Sequence, residues 1–192
     1  GDAVLEIGAN IGTHTLWFAN RVGDEGYVLA FEPQRLVFQT LCANMALNSK
    51  TNVDCRQMGV GSSQELVKIP VLDPEQFNNF GALSIRDHKE GENVAITPID
   101  HIGLSRLDFL KIDVEGMEPD VLMGGLHTIH DLKPVIYMEV DQQKNNPLLL
   151  EIMDSLNYKV EQHSPPLHSP DYEQENIFGK LVSFNAICTP RK

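Results

Sequence analysis

The groups in this sequence best placed to do chemistry are acidic residues that sit in or just after short apolar runs. VLEIGANIGTHT sets Glu6 inside the first run and follows it with Gly8, Asn10 and Gly12, and the next run ends on Glu32 in AFEPQ. A glycine lets the backbone approach a ligand closely, and a loop that feeds a helix offers amide N–H groups to an anion. The G-x-G-x-x-G dinucleotide pattern fails, because Asn10 and Thr13 stand where glycines are needed, and the phosphate-loop pattern lacks its Gly-Lys pair and hydroxyl follower. What remains suits an adenosine ligand without a diphosphate. Glu32, as an ionised two-oxygen acceptor, would take both ribose hydroxyls, and Glu6 would face the ammonium of a methionine moiety, directly or through water. The plainer reading is a tight strand-to-helix turn flanked by two solvated carboxylates.

A second acidic group lies further on. LKIDVEG puts Asp113 and Glu115 after an apolar strand, and VIYMEV ends the next with Glu139. Carboxylates at strand ends can align a hydroxyl nucleophile and remove its proton. Asp113 is alternatively a holder of the methionine moiety, which leaves Glu115 or Glu139 as the base. Lys111, two residues before Asp113 and on the same side of its strand, either tunes these carboxylates or forms a buried ion pair without a catalytic part. The acidic residues do not have an EF-hand spacing, and no metal is expected. For His14, inside the first helix, packing or solvent exposure is favoured over a place beside the acceptor.

The elements that must carry these residues follow from periodicity. Strands are predicted over Ala3 to Ile7, Tyr27 to Phe31, Val53 to Met58, Leu107 to Ile112 and Val135 to Val140. Helices are predicted over Thr13 to Arg21, from Leu36 to Leu47, Asp120 to Ile129 and Leu148 to Leu156. Successive strand-helix units imply a doubly wound α/β fold with a mostly parallel sheet. Glu65 to Leu72 and Val94 to Ile99 read as a β excursion beside the sheet. Tyr158 to Glu161 and Leu181 to Cys188 read as an antiparallel terminal pair, joined by a long Pro-rich surface loop that holds His163 and His168.

With 192 residues, 42% hydrophobic and 22% charged, the chain is expected to form one domain over residues 1–192. It opens at Gly1 and enters a strand almost at once, so a native amino-terminal segment is expected to be missing. A net charge of −12 and a pI near 4.9 oppose phosphate backbones and anionic lipid, which disfavours nucleic acid and membrane partners. Cys42, Cys55 and Cys188 lack metal-ligand spacing and read as buried or free thiols of a reducing compartment. No apolar run approaches the roughly 20 residues of a membrane span. A soluble, cytoplasmic protein is expected.

In order, VLEIGANIGTHT, AFEPQ, LCANMALN, the GVGS turn and LDFLKIDVEGMEPDVLMGG resemble the signature blocks of FkbM-type methyltransferases over nearly the whole chain. The resemblance implies a seven-stranded, Rossmann-like class I fold that binds S-adenosylmethionine and methylates a hydroxyl of a sugar or other small natural-product-like acceptor. It assigns cofactor binding to Glu6, Gly8, Asn10, Gly12 and Glu32. The family commonly has Asp at the position of Glu6, and Gly59 stands where related enzymes hold the adenine amine with Asp, so adenine is expected to rest on Met58 and backbone groups. NNFGALSI resembles an element bordering the acceptor, so Asn78, Asn79 and Ser84 either bind substrate hydroxyls or only form a turn. The competing readings are a non-catalytic module that keeps cofactor affinity and, against the glycine pattern, a nicotinamide-dependent oxidoreductase.

Overall fold

The computed structural model describes residues 1–71, 73, 75, 88–140, 147–166 and 182–191. The chain runs β1 (Ala3–Ile7), α1 (Thr13–Val22), β2 (Tyr27–Phe31), α2 (Arg35–Leu47), β3 (Val53–Arg56), β4 (Gly59–Val60), β5 (Glu65–Ile69) and β6 (Glu92–Thr97). It continues through β7 (Phe109–Ile112), α3 (Glu118–Met123), α4 (Leu126–Leu132), β8 (Val135–Glu139), α5 (Pro147–Ser155), β9 (Tyr158–His163) and β10 (Asn185–Pro190).

The main sheet has seven strands in the order β3-β2-β1-β7-β8-β10-β9. The first five are parallel, and β10 runs antiparallel to both of its neighbours. Parallel strands need crossovers, which the helices supply, and the result is the expected doubly wound α/β architecture. From β1 the chain moves outward to β2 and β3 and returns to β7 on the other side of β1. The β1/β7 junction is therefore the switch point, where ligands bind at the carboxyl ends of the strands in open sheets of this kind.

Strand alternation decides which side chains meet which helices. Val4 and Val28 pack with Phe18, Ala19 and Val22 of α1, whereas Leu5, Ile7, Leu29, Phe31, Leu110 and Ile112 face the core built with α3, α4 and α5. Fully burying each of these side chains is worth about 1.5–3 kcal/mol. Glu6 shares the parity of Val4 and so points under α1, where it is fully buried. On β8, Ile136 and Met138 enter the opposite core, which turns Tyr137 and Glu139 to the α1 side of the sheet.

Several boundaries depart from the sequence pattern. The third strand stops at Arg56, and β4 joins β6 and β5 in a separate three-stranded sheet, which is the β excursion. The single helix expected over Asp120 to Ile129 is two helices, since Gly124 and Gly125 end the first and start the second. His163, assigned to the Pro-rich loop from sequence, is instead the last residue of β9. Cys42 of α2, Cys55 of β3 and Cys188 of β10 are free thiols. Asn78, Asn79, Ser84 and His168 lie outside the described residues. Among the described residues no helix is long and apolar enough to cross a membrane.

Candidate functional site

At the switch point the β1 and β7 loops touch. Gly8 has φ +81°, and a Cβ there would lie 1.9 Å from the Asp113 carbonyl oxygen, so only glycine permits the approach. Gly8→Ala should destabilise the fold by about 2 kcal/mol or more, through left-handed strain and the clash, as a lower urea midpoint at unchanged slope. Gly12 also has positive φ, and a Cβ built there would lie 2.7 Å from the Leu41 side chain and 3.0 Å from that of Met45 on α2, so packing alone already demands glycine there.

The loop amides satisfy one another. Gly8 and Ala9 N–H donate to the Phe31 carbonyl at 3.0 Å, Gly12 N–H to Ala9, Ile11 N–H to the Asn10 side chain at 2.7 Å, and Asn10 N–H to Glu32 Oε2 at 3.0 Å. The loop is thus not itself an anion cradle. No side chain caps α1, which leaves the first amides of that helix as the available donors for an anionic group.

An open cleft of about 650 Å³ adjoins this loop. Gly8, Asn10, Glu32, Met58, Asp113 and Glu115 all line it, along with the apolar Ile7, Phe31, Val60 and Met117. Glu32 is nearly buried, and its other oxygen accepts from Gln34 N–H at 2.8 Å. Burial, only partly offset by those two bonds, raises its carboxyl to about 7. The donor set fits an adenosyl group. A carboxylate fixed by backbone bonds keeps spare lone pairs for two hydroxyls, an apolar wall with Met58 suits a flat base, and the helix start suits a carboxylate.

Behind the cleft lies a buried ion cluster. Glu6 and Lys111 are register partners on β1 and β7. Lys111 Nζ sits 2.9 Å from Asp113 Oδ2 and 3.5 Å from Glu6 Oε1, and Thr15 Oγ1 donates to Glu6 Oε2 at 2.6 Å. Glu6 Oε1 has no hydrogen-bond partner among the described residues. Burial raises the Glu6 carboxyl. Burial opposes ionisation of Asp113 too, but the Lys111 ammonium overrides it by charge and hydrogen bond, and the net shift is downward. Glu6 does not line the cleft, so its reach to a ligand runs through Lys111 and Asp113. Lys111 is the ion-pair residue of this cluster.

Asp113 also lines a second cavity of about 620 Å³ with His14, Tyr137, Glu139, Pro165 and Asn185, so it is shared by both spaces. Glu139 borders the same cavity, and the charge of Asp113 acts on its carboxyl. Burial first, then Asp113, Glu115 and Glu118, raise Glu139 to about 7. Two carboxyls pushed apart in this way make one a lasting anion and the other a proton acceptor poised at neutral pH. Glu115 is exposed and faces the first cleft alone. His14, expected to pack or face solvent, is exposed but borders the cavity from the first turn of α1. Sequence reasoning missed Tyr137 and Asn185. Tyr137 was findable two residues before Glu139 on the same strand face, whereas Asn185 arrives opposite Glu139 by antiparallel pairing. Among the described residues no three His, Cys, Asp or Glu side chains converge to hold a metal ion.

The family model described as the methyltransferase FkbM domain matches residues 6–162. The chain is 26% identical to Methyltransferase 1 of Beauveria bassiana (strain ARSEF 2860), covering 92% of this chain and 80% of that protein. It is 28% identical to Methyltransferase sdnD of Sordaria araneosa over 63% of this chain, and spans 59% of that protein's length. Among solved structures, the methyltransferase FkbM from Methylobacillus flagellatus KT superposes with TM-score 0.68 at 20% identity, covering 97% of this chain and 43% of that one. A Streptococcus mutans chain in complex with SAH superposes with TM-score 0.55 at 10% identity over 98% of this chain and 89% of its own. The family model spans well over half of the chain, and the chain belongs to the FkbM family of methyltransferases.

Proposed function

We propose that this chain binds S-adenosylmethionine in the first cleft and methylates a hydroxyl of a sugar or other small natural-product-like acceptor held in the second cavity. The observation that carries the reading is Asp113, which lines both spaces and so marks where donor and acceptor meet. Glu32 takes the ribose hydroxyls, Met58 and its apolar neighbours the base, and the uncapped start of α1 the methionine carboxylate. S-adenosylmethionine, when bound, supplies an electrophilic methyl group on a sulfonium. Asp113, kept ionised by Lys111, faces that positive charge, and Glu139 takes the proton of the acceptor hydroxyl. Glu6 supports the site from behind through Lys111. The charge balance of the chain favours a small-molecule or glycan acceptor over nucleic acid.

Calorimetric titration with S-adenosylmethionine and S-adenosylhomocysteine, with NADH as control, tests the donor site, and methyl transfer to a panel of hydroxylated sugars and polyols tests the acceptor. Absence of adenosyl binding to the folded chain would remove the reading. With a responsive acceptor, Glu139→Gln should keep S-adenosylhomocysteine affinity and lower turnover by about a hundredfold or more. With S-adenosylmethionine saturating at every pH, the wild-type kcat/KM for the acceptor should rise with pH through about 7, as Glu139 ionises among Asp113, Glu115, Glu118, Lys111 and His14. The rise should vanish in Glu139→Gln.

A further inference from the structure

Tyr137 has no part in the chemistry assigned so far, yet it is held in a defined position on the wall of the second cavity. It sits on β8 two residues before Glu139, and both side chains emerge on the same face into that space. Its hydroxyl is hydrogen-bonded at 3.0 Å to Nδ1 of His163, the last residue of β9, and the two rings stand edge to face with centroids 5.8 Å apart. β8 and β9 are not neighbours, because β10 lies between them, so the bond reaches across a whole strand. Burial, then the charges of Asp113 and Glu139, raise the phenol above its ordinary value, which keeps it protonated at neutral pH. A phenol bonded to one imidazole nitrogen retains one further hydrogen-bonding direction.

We infer that Tyr137 is an acceptor-binding residue and that the acceptor it favours carries a second hydroxyl, held by the Tyr137 hydroxyl while the first lies over Glu139. The inference rests on the methyl-transfer reading of the site. Side chains two apart on a strand emerge on the same face, so one polyhydroxylated acceptor in this cavity meets both groups. One hydroxyl loses its proton to Glu139 while Tyr137 fixes the other, so Tyr137 decides which oxygen of the pair is methylated. The Tyr137 ring and Pro165 add apolar surface for the C–H face of such a ring. His163 acts as a positioning residue, since it touches Tyr137 and is absent from the cavity wall.

Saturation-transfer NMR on the protein saturated with S-adenosylhomocysteine tests this, with catechol and methyl mannoside as polyhydroxyl probes and phenol, which has a single hydroxyl, as control. Catechol and methyl mannoside should bind, and phenol should bind at least about fivefold more weakly and be insensitive to Tyr137→Phe. Tyr137→Phe should weaken catechol about tenfold, the loss of one hydrogen bond, with S-adenosylhomocysteine affinity unchanged as the folding control. His163→Ala should weaken catechol by a smaller factor and His163→Gln should restore it. The nitrogen shifts of His163 should move in Tyr137→Phe. Equal catechol binding by wild type and Tyr137→Phe, or phenol bound as well as catechol, would overturn the inference while leaving the donor site intact. Failure of the wild type to bind S-adenosylhomocysteine would instead remove the parent reading.

Discussion

Glu32→Gln should weaken adenosyl ligand binding by about thirtyfold or more and abolish most of its pH dependence. Each ribose hydroxyl bonded to a charged carboxylate is worth about 1.5–3 kcal/mol, and the neutral amide keeps at most part of that. In the free protein, burial holds the Glu32 carboxyl at about 7, against an ordinary 4.5. Stability due to this group is thus present in acid and lost as pH rises through about 7, because an ionised carboxylate is then held with little water around it. Ligand hydroxyls favour the ionised form. The wild-type Kd for S-adenosylhomocysteine should therefore increase as pH falls below about 7, by up to about tenfold per unit. Calorimetry between pH 5.5 and 8 should show this slope in the wild type and a nearly flat line in Glu32→Gln. The variant should fold normally, because relief of the buried charge offsets the amide donor it places against Asn10 or Gln34 N–H. A pH slope that survives in Glu32→Gln would move the titrating group elsewhere, with Glu139 the first candidate.

The donor half of the site was legible in sequence because its signals are local. A glycine directly after a strand, an acidic residue closing the next strand and a carboxylate after β7 each occupy a fixed place relative to one strand end. Parallel order then brings those ends together without further information. Glu6 shows the limit of such reading. Its neighbourhood suggested a ligand contact, but strand parity with Val4 turns it under α1, where Thr15 and Lys111 take it. Gly12 is similar, since its constraint comes from Leu41 and Met45 on a helix some 30 residues later. The acceptor wall was the least legible part. Asn185 reaches Glu139 only through the register of β10 on β8, and His163 reaches Tyr137 over β10. Those neighbours are set by antiparallel pairing across a long connection, and no local pattern records them. For Asp113 the sequence leaves two alternatives, holder of the methionine moiety or participant at the acceptor, and the structure places its side chain on the wall of both spaces.

Lys111→Met should cost about 3–5 kcal/mol of stability at neutral pH, the typical penalty for removing one partner of a buried ion pair. The lysine is nearly buried and stands against two carboxylates, Glu6 at 3.5 Å and Asp113 at 2.9 Å. Glu6 bears most of the penalty. It is fully buried, and without the ammonium its charge would retain only the Thr15 hydroxyl. Asp113, with 41% of its side chain exposed, is screened by water and adds little. Loss of Lys111 would raise the Glu6 carboxyl further and release the Asp113 carboxyl from its lowered value, so the deficit should shrink as the solution is acidified toward their unfolded values of about 4. Urea denaturation at pH 7.5 and 5.5 measures both quantities. The double variant Glu6→Gln with Lys111→Met should recover part of the loss at pH 7.5, because the neutral amide no longer needs the ammonium. If Lys111→Met were instead as stable as the wild type at both pH values, Glu6 would already be protonated in the native protein, and Lys111 would serve Asp113 alone.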